Sequence, residues 1–313
     1  LNHRRRFSCI LKILPGTCFF FSKAVVSNQL ARFWPKLYVD LTLQTGRGVG
    51  EDDASQVADY FIQCFQDYRE QMEFSDEEFS RYLSGKTVLE YGPGDILGVA
   101  LLVYAHGADK VECVDRFPLS KLSNKNVDVY FRILNSLDQN KRERASEAFK
   151  EKGNPRSGFN PDAISYKVTR NGLAEARNEY DLVISRAVLE HVNSLEETIL
   201  DIGQCMKSGG ISLHQVDLSS HGLDRDTKFD FLTWPAIAYR LMYSHKGFPN
   251  RWRVDKYREL AAQSCLKVKK LSPTTTVGME ALNTIYPKLA KEFRHISLED
   301  LSWQGFWMIL ERV

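Results

Sequence analysis

The stretch Val88-Leu89-Glu90-Tyr91-Gly92-Pro93-Gly94-Asp95-Ile96-Leu97-Gly98 carries an acid and two closely spaced glycines at the end of an apolar run. Glycines at the carboxyl end of a buried strand allow a sharp turn and let the backbone approach a ligand more closely than any Cβ would permit. Neither phosphate-binding pattern fits, because G-x-G-x-x-G lacks its third glycine, Asp95 would repel a phosphate, and no Lys-Ser or Lys-Thr follows. Glu90, two residues ahead of Gly92, instead suits a cationic ligand. Asp115 closes the run Val111-Glu112-Cys113-Val114. An acid there can accept hydrogen bonds from both hydroxyls of a ribose, and it equally suits a helix N-cap before Arg116-Phe117-Pro118. Further on, Asp217-Leu218-Ser219-Ser220-His221 sets a carboxylate four residues from an imidazole. That pair could act as a general base with its orienting acid, or be a strand-terminal Asp and a loop His without chemistry. His214 falls inside the preceding apolar alternation and reads as a packed residue.

These residues require a scaffold of strands whose carboxyl ends share one edge. From Thr87 onward, short apolar runs alternate with helical segments, which predicts an α/β fold with a doubly wound, mostly parallel sheet of seven strands. The expected strands are about 87–91, 110–115, 164–168, 181–185, 210–216, 266–271 and 306–311, and the lysines 267, 269 and 270 mark an edge strand. Residues 51–83 read as helices, since Val57, Tyr60, Phe61, Cys64, Phe65 and Tyr68 recur at spacings of three and four, and Ser75-Asp76-Glu77-Glu78 is a helix start. The expected division is a helical cap over residues 1–83 and a main domain over 84–313. Two insertions, about 116–161 and 218–254, exceed the usual short connections and are expected to form substrate walls and a lid above the strand ends.

The pattern E-x-G-x-G over Glu90, Gly92 and Gly94 resembles motif I of the class I S-adenosylmethionine-dependent methyltransferases. The resemblance implies that Glu90 lies near the methionine amino group of that cofactor, with Gly92 and Gly94 passing beneath the methionine and ribose. Tyr180-Asp181-Leu182-Val183-Ile184-Ser185-Arg186-Ala187-Val188-Leu189-Glu190-His191-Val192 resembles the family's fourth motif, F-D-L-V followed by V-L-E-H-V. It implies that Ser185 and Arg186 face the transferred methyl. His191, taken as one turn into the following helix, is a further candidate catalytic residue. Lys207-Ser208-Gly209-Gly210 resembles the L-K-P-G-G turn before strand five, with Ser208 in place of the usual proline. The turn Thr169-Arg170-Asn171-Gly172-Leu173 would lie beside the adenine, Asn171 bonding the base edge; a plain Asn-Gly turn explains the same residues. The resemblance spans about residues 86–313, in the family's order.

A sulfonium donor needs mainly an aligned nucleophile and, for a hydroxyl acceptor, removal of a proton. His221 is the expected base, with Asp217 orienting it or contacting the substrate. Trp234 and the neighbouring aromatics read as lid core or as a stacking platform for a sugar. Arg251 and Arg253 could clamp a carboxylate or phosphate of the acceptor, or pair at the surface. No metal is expected, since Asp217 and His221 are only two candidate ligands. The expected activity is O-methylation of a small-molecule natural product or glycan hydroxyl. N- or carboxyl methylation, or a binding protein that keeps the fold without turnover, stay open, and an NAD-type oxidoreductase is disfavoured by the missing glycine.

With 42 basic and 40 acidic residues the chain has a net charge of +2, which supplies no general field for nucleic acid. The six cysteines show no C-x-x-C pair, in keeping with reduced thiols in a cytoplasmic protein. The chain opens on Leu1, which reads as a processed, recombinant or unusual start. Arg4-Arg5-Arg6 and the apolar run to Val26 are interrupted at Lys12, Pro15-Gly16 and Lys23. That argues against a membrane span and for a packed helix or a weak membrane-surface contact through residues 1–26.

Overall fold

The computed structural model describes residues 15–42, 50, 52–224 and 227–313, with side chains from residue 21 onward except that of Thr42. Among the described residues four α-helices come first: α1 (Pro15–Phe33), α2 (Pro35–Thr42), α3 (Ala54–Gln71) and α4 (Asp76–Leu83). Asp53 and Ser75 cap α3 and α4 through reciprocal capping boxes with Gln56 and Glu78, which satisfies amides that the first turn leaves unpaired. The basic residues Arg4–Arg6 lie outside the described residues. No described helix is long and apolar enough to cross a membrane.

The sheet follows in the order β3-β2-β1-β4-β5-β7-β6. Its strands are β1 (Thr87–Tyr91), β2 (Lys110–Asp115), β3 (Ile164–Val168), β4 (Tyr180–Arg186), β5 (Met206–Asp217), β6 (Leu266–Thr276) and β7 (Trp303–Arg312). The first five run parallel, and β7 enters antiparallel between β5 and the edge strand β6. The chain reverses its direction of travel across the sheet between β1 and β4. An open parallel sheet parts its connections there and leaves a crevice at the strand ends.

The Lys-Ser-Gly-Gly segment makes its turn within the bounds of β5, where the chain loops out between the pairs Tyr180–Met206 and Leu182–Ile211 and the Lys207 carbonyl comes close to Gly210. Gly209 (φ +72°) supplies the left-handed residue that such an insertion needs.

Helices α5 (Gly98–Ala105), α6 (Asn124–Ser136) and α7 (Gln139–Glu147) cover one face of the sheet, and α8 (Leu195–Cys205) and α10 (Val254–Gln263) cover the other. The apolar stripe of α3, namely Val57, Phe61, Cys64, Phe65 and Tyr68, belongs to the first of these cores together with Phe79 and Leu83 of α4. These two helices are therefore part of the main core, and only α1 and α2 stand outside it. The lid is a third apolar cluster: Phe229, Phe231 and Leu232 join α9 (Ala236–Tyr243), α11 (Met279–Ile285) and the stretch up to α12 (Leu298–Ser302). The segment between β6 and β7 thus completes the lid, although the expected walls and lid lay in 116–161 and 218–254. Asn28 and Lys246 fasten α1 to it: Asn28 Nδ2 donates to the Leu241 carbonyl (2.9 Å), and Lys246 Nζ donates to the Ala24 carbonyl (2.9 Å).

The insertion 116–161 departs from its expected role. Its two helices pack against α5 and α3, and only the stretch from Arg116 to Leu119 reaches the strand-end crevice.

Candidate active site

The chain leaves β1 through Gly92 (φ +63°) and Gly94 (φ +78°). A Cβ on Gly92 would stand 2.5 Å from Cγ2 of Val188, so the fourth motif rests directly on the glycine loop and excludes a side chain there. The Gly92 amide bonds the Val114 carbonyl at 2.8 Å. Below the loop, Tyr130 Oη accepts from the Leu97 amide (2.9 Å) and Asn126 Nδ2 donates to the Asp95 carbonyl (3.2 Å). Helix α6 thereby buttresses the loop.

A cleft of about 600 Å³ opens at these strand ends. It brings together Glu90, Gly92, Gly94, Asp115, Asn171, Gly172, Arg186, His191, Asp217 and His221. Glu90 is 7% exposed, and burial pushes its carboxyl up to about 8, with the Cys113 thiol and the Ala100 amide holding it back and Asp115 adding repulsion. Asp115 is raised to about 6 by burial, opposed by the amides of Phe117 and Arg116. Asp115 Oδ1 accepts from the Arg116 amide at 2.7 Å and from that of Phe117 at 3.3 Å. It caps its own turn and still borders the cleft, so the two roles expected of it coexist. Gly172 (φ +70°) approaches this turn so closely that a Cβ would lie 3.3 Å from the Arg116 amide nitrogen.

Arg186 lies against α3, bonded to Asp67 at 2.6 Å and set between the rings of Tyr60 and Trp307 at 5.9 and 5.8 Å. Ser185 does not join it. Successive side chains on a strand face opposite ways, and Ser185 is fully buried with its Oγ 2.7 Å from His214 Nδ1. His214 is buried as expected.

Beyond β4, Leu189–His191 form a short 3₁₀ helix ahead of α8, so His191 precedes that helix rather than lying one turn into it. The Asn250 side chain donates to the Leu189 carbonyl (2.8 Å) and the Asn250 amide to that of Glu190 (2.6 Å), holding the turn. His191 and His221 meet edge to face with ring centroids 4.7 Å apart. Burial, with help from His221 and Arg116, lowers His191 to about 3. His221 Nε2 lies 3.7 Å from Asp217 Oδ2, and His221 sits at φ +48°, a strained setting for a non-glycine residue.

The expected acceptor clamp has a different role. Arg253 is 1% exposed and donates to the carbonyls of Leu218 (2.8 Å) and Trp303. Arg251 donates to the Trp234 carbonyl (2.7 Å) and pairs with Glu292 at 3.1 Å. Arg251 ties segments of the lid to one another, Arg253 joins the stretch after β5 to the start of β7, and neither borders the cleft. Trp234 packs on the lid cluster. Conversely, Tyr60 and Cys64 of α3, Phe117, Leu119 and Gly247 line the cleft. The helical spacing of Tyr60 and Cys64 had marked them as core. Glu190, inside V-L-E-H-V but singled out for nothing, lies beside the two imidazoles.

Residues 66–264 match the sequence profile of a family described as a methyltransferase domain. The chain belongs to this methyltransferase family. The methyltransferase uses S-adenosylmethionine as its methyl donor. A comparison with curated protein sequences finds no match. Among solved structures, it is similar to an S-adenosylmethionine-dependent methyltransferase of Mesorhizobium loti at 16% identity, covering 74% of this chain and 92% of that one, TM-score 0.40. It is also similar to the geranyl diphosphate C-methyltransferase of Streptomyces coelicolor A3(2) at 14% identity, covering 75% and 77%, TM-score 0.40.

Proposed function

We propose that the methyltransferase acts in the cytoplasm on a hydroxyl oxygen of a small molecule, a natural product or a glycan. The observation that carries this is the Asp217–His221 pair, 3.7 Å apart, in the same cleft as Glu90 and Asp115. An amine or a carboxylate can attack a sulfonium methyl once aligned, whereas a hydroxyl gains from a base. Glu90 receives the methionine ammonium, Gly92 and Gly94 pass beneath methionine and ribose, Asp115 accepts from the ribose hydroxyls, and Asn171 with Gly172 borders the adenine. Arg186, fixed by Asp67, shapes the wall near the methyl.

In the transfer, the acceptor oxygen attacks the methyl carbon and the carbon–sulfur bond breaks with its electron pair on sulfur. The hydroxyl proton passes to His221, and neutral S-adenosylhomocysteine leaves. The unpaired thiols of Cys64, Cys113, Cys205 and Cys265 are in keeping with a reducing compartment.

The test is transfer of labelled methyl from S-adenosylmethionine to a panel of hydroxyl, amine and carboxyl acceptors. Transfer to hydroxyl acceptors that collapses in His221→Ala supports the proposal. Turnover confined to amines, or unaffected by that substitution, refutes it.

A further inference from the structure

We propose that Glu190, His191 and His221 form a binding site for a divalent transition-metal ion at the acceptor end of the cleft. One ligand atom from each lies within 4.8 Å of the others, and among the described residues this is the one such grouping of His, Cys, Asp and Glu side chains. Bonds of about 2.1 Å place the ligand atoms of a tetrahedral ion roughly 3.4 Å apart. A rotamer adjustment of about an ångström would therefore close the three onto one ion.

The second observation is the state of Glu190. Its side chain is 1% exposed, yet neither carboxylate oxygen has a hydrogen-bond partner. Burial pushes the Glu190 carboxyl well above the usual carboxylate range and the Asp217 carboxylate adds to this, while the amides of Glu190 and Asp217 hold it back without reaching hydrogen-bond geometry. The neighbouring imidazole stands beside it, with His191 Nε2 at 3.7 Å from Glu190 Oε1. Buried polar oxygens are nearly always bonded, and a carboxyl buried without a partner escapes the cost of its charge only by keeping its proton. A cation held between Glu190 and the two imidazoles removes that cost.

The donor set selects the class of ion. Two imidazoles and one carboxylate suit Zn²⁺, Fe²⁺, Mn²⁺ or Co²⁺, whereas Mg²⁺ and Ca²⁺ prefer oxygen alone. Asp217, 3.7 Å from His221 Nε2, stands where a carboxylate orients a ligating histidine. His191 and His221 line the cleft, and open coordination positions would face the acceptor. This deepens the proposed O-methylation and rests on it. With the ion in place His221 is a ligand rather than the free base. The cation acidifies the bound hydroxyl, whose proton passes to Asp217 as its oxygen takes the methyl.

The experiment is calorimetric titration of chelator-stripped full-length protein with Zn²⁺, with and without S-adenosylmethionine. It is repeated with Co²⁺ while visible absorption is recorded. The expected result is one equivalent bound, with affinity reduced at least tenfold in Glu190→Gln, His191→Ala and His221→Ala. It should be unchanged in His295→Ala, which removes the exposed His295–Asp255 pair 3.6 Å apart. Thermal melts identify any variant that fails to fold, and the isosteric Glu190→Gln then decides. No stoichiometric binding, or binding indifferent to Glu190→Gln, overturns the site. If S-adenosylmethionine binds and a hydroxyl is methylated at full rate in stripped protein, the ion is refuted while the O-methylation proposal stands. If zinc binds and only amines are methylated, the ion site stands and the hydroxyl reading falls.

Discussion

Glu90→Gln separates the energetic signature of the cofactor loop from its shape. Glu90 ionises at about 8 in the fold against 4.5 ordinarily. Below pH 4.5 both folded and unfolded chains hold the proton. As pH rises toward 8 the unfolded chain releases it while the fold retains it, so stability falls across that window and levels off above it. At about 1.4 kcal/mol per pH unit the total approaches ~5 kcal/mol, of which roughly 3 to 4 kcal/mol lies between pH 5 and 8. Glutamine has no such proton, so the variant should gain that amount on the wild type over this interval in urea titrations of the cofactor-free protein. Asp115 contributes its own decline at lower pH in both proteins and cancels in the difference. Binding of the sulfonium donor reverses the wild-type penalty, because the methionine ammonium favours the carboxylate. Calorimetry at pH 7 in buffers of different ionisation enthalpy should register release of about one proton in the wild type and none in the variant. Affinity should fall about 10- to 100-fold, as for a lost hydrogen bond to a charged group. Parallel stability profiles, or equal proton release by the two proteins, would refute the placement of Glu90 against the cation.

Other consequences can be measured independently. Gly98→Ala would place a Cβ 2.4 Å from the Phe61 ring; it should destabilise by about 1–3 kcal/mol, and a coupled cycle with Phe61→Leu should recover part of that loss in denaturation experiments. Asp115→Ala should weaken S-adenosylmethionine binding by about tenfold or more, and unchanged calorimetric affinity would count against the ribose assignment. His221→Ala should depress turnover by about 10²- to 10⁴-fold while sparing cofactor affinity, whereas Arg253→Met should leave the carbonyls of Leu218 and Trp303 unpaired and lower stability by about 2–4 kcal/mol. Wild-type melting of the Arg253 variant would show that this anchor is dispensable.

The sheet was legible because each strand is a short apolar run between turn residues, and Glu90, Asp115 and Asp217 were found because they close such runs. Ser185 shows where alternation was set aside: adjacent residues on one strand cannot both face the cleft. The partners of Arg253, and those of Arg251 besides Glu292, are backbone carbonyls well removed along the chain, and carbonyls leave no mark in a sequence. Two polar signals also concealed each other. Glu190 looked like part of a motif and Tyr60 like part of a helical stripe, and only the fold shows that Tyr60 lines the cleft and that Glu190 lies beside His191 and His221. The helices after Arg116 were misplaced because length alone does not say whether an insertion rises above a sheet or lies along its face.

The attachment of α1 to the lid has a mechanical side. Asn28 accepts from the His245 amide at 2.8 Å as well as donating to α9, and Lys246 reaches both Ala24 and Ser27. Any swing of the lid that admits substrate must carry α1 with it or break six hydrogen bonds at once. The amino-terminal helix is thus a load on the hinge: shortening the chain before residue 34 should speed product escape and expose the lid to proteases, although α1 contributes no residue to the catalytic cleft.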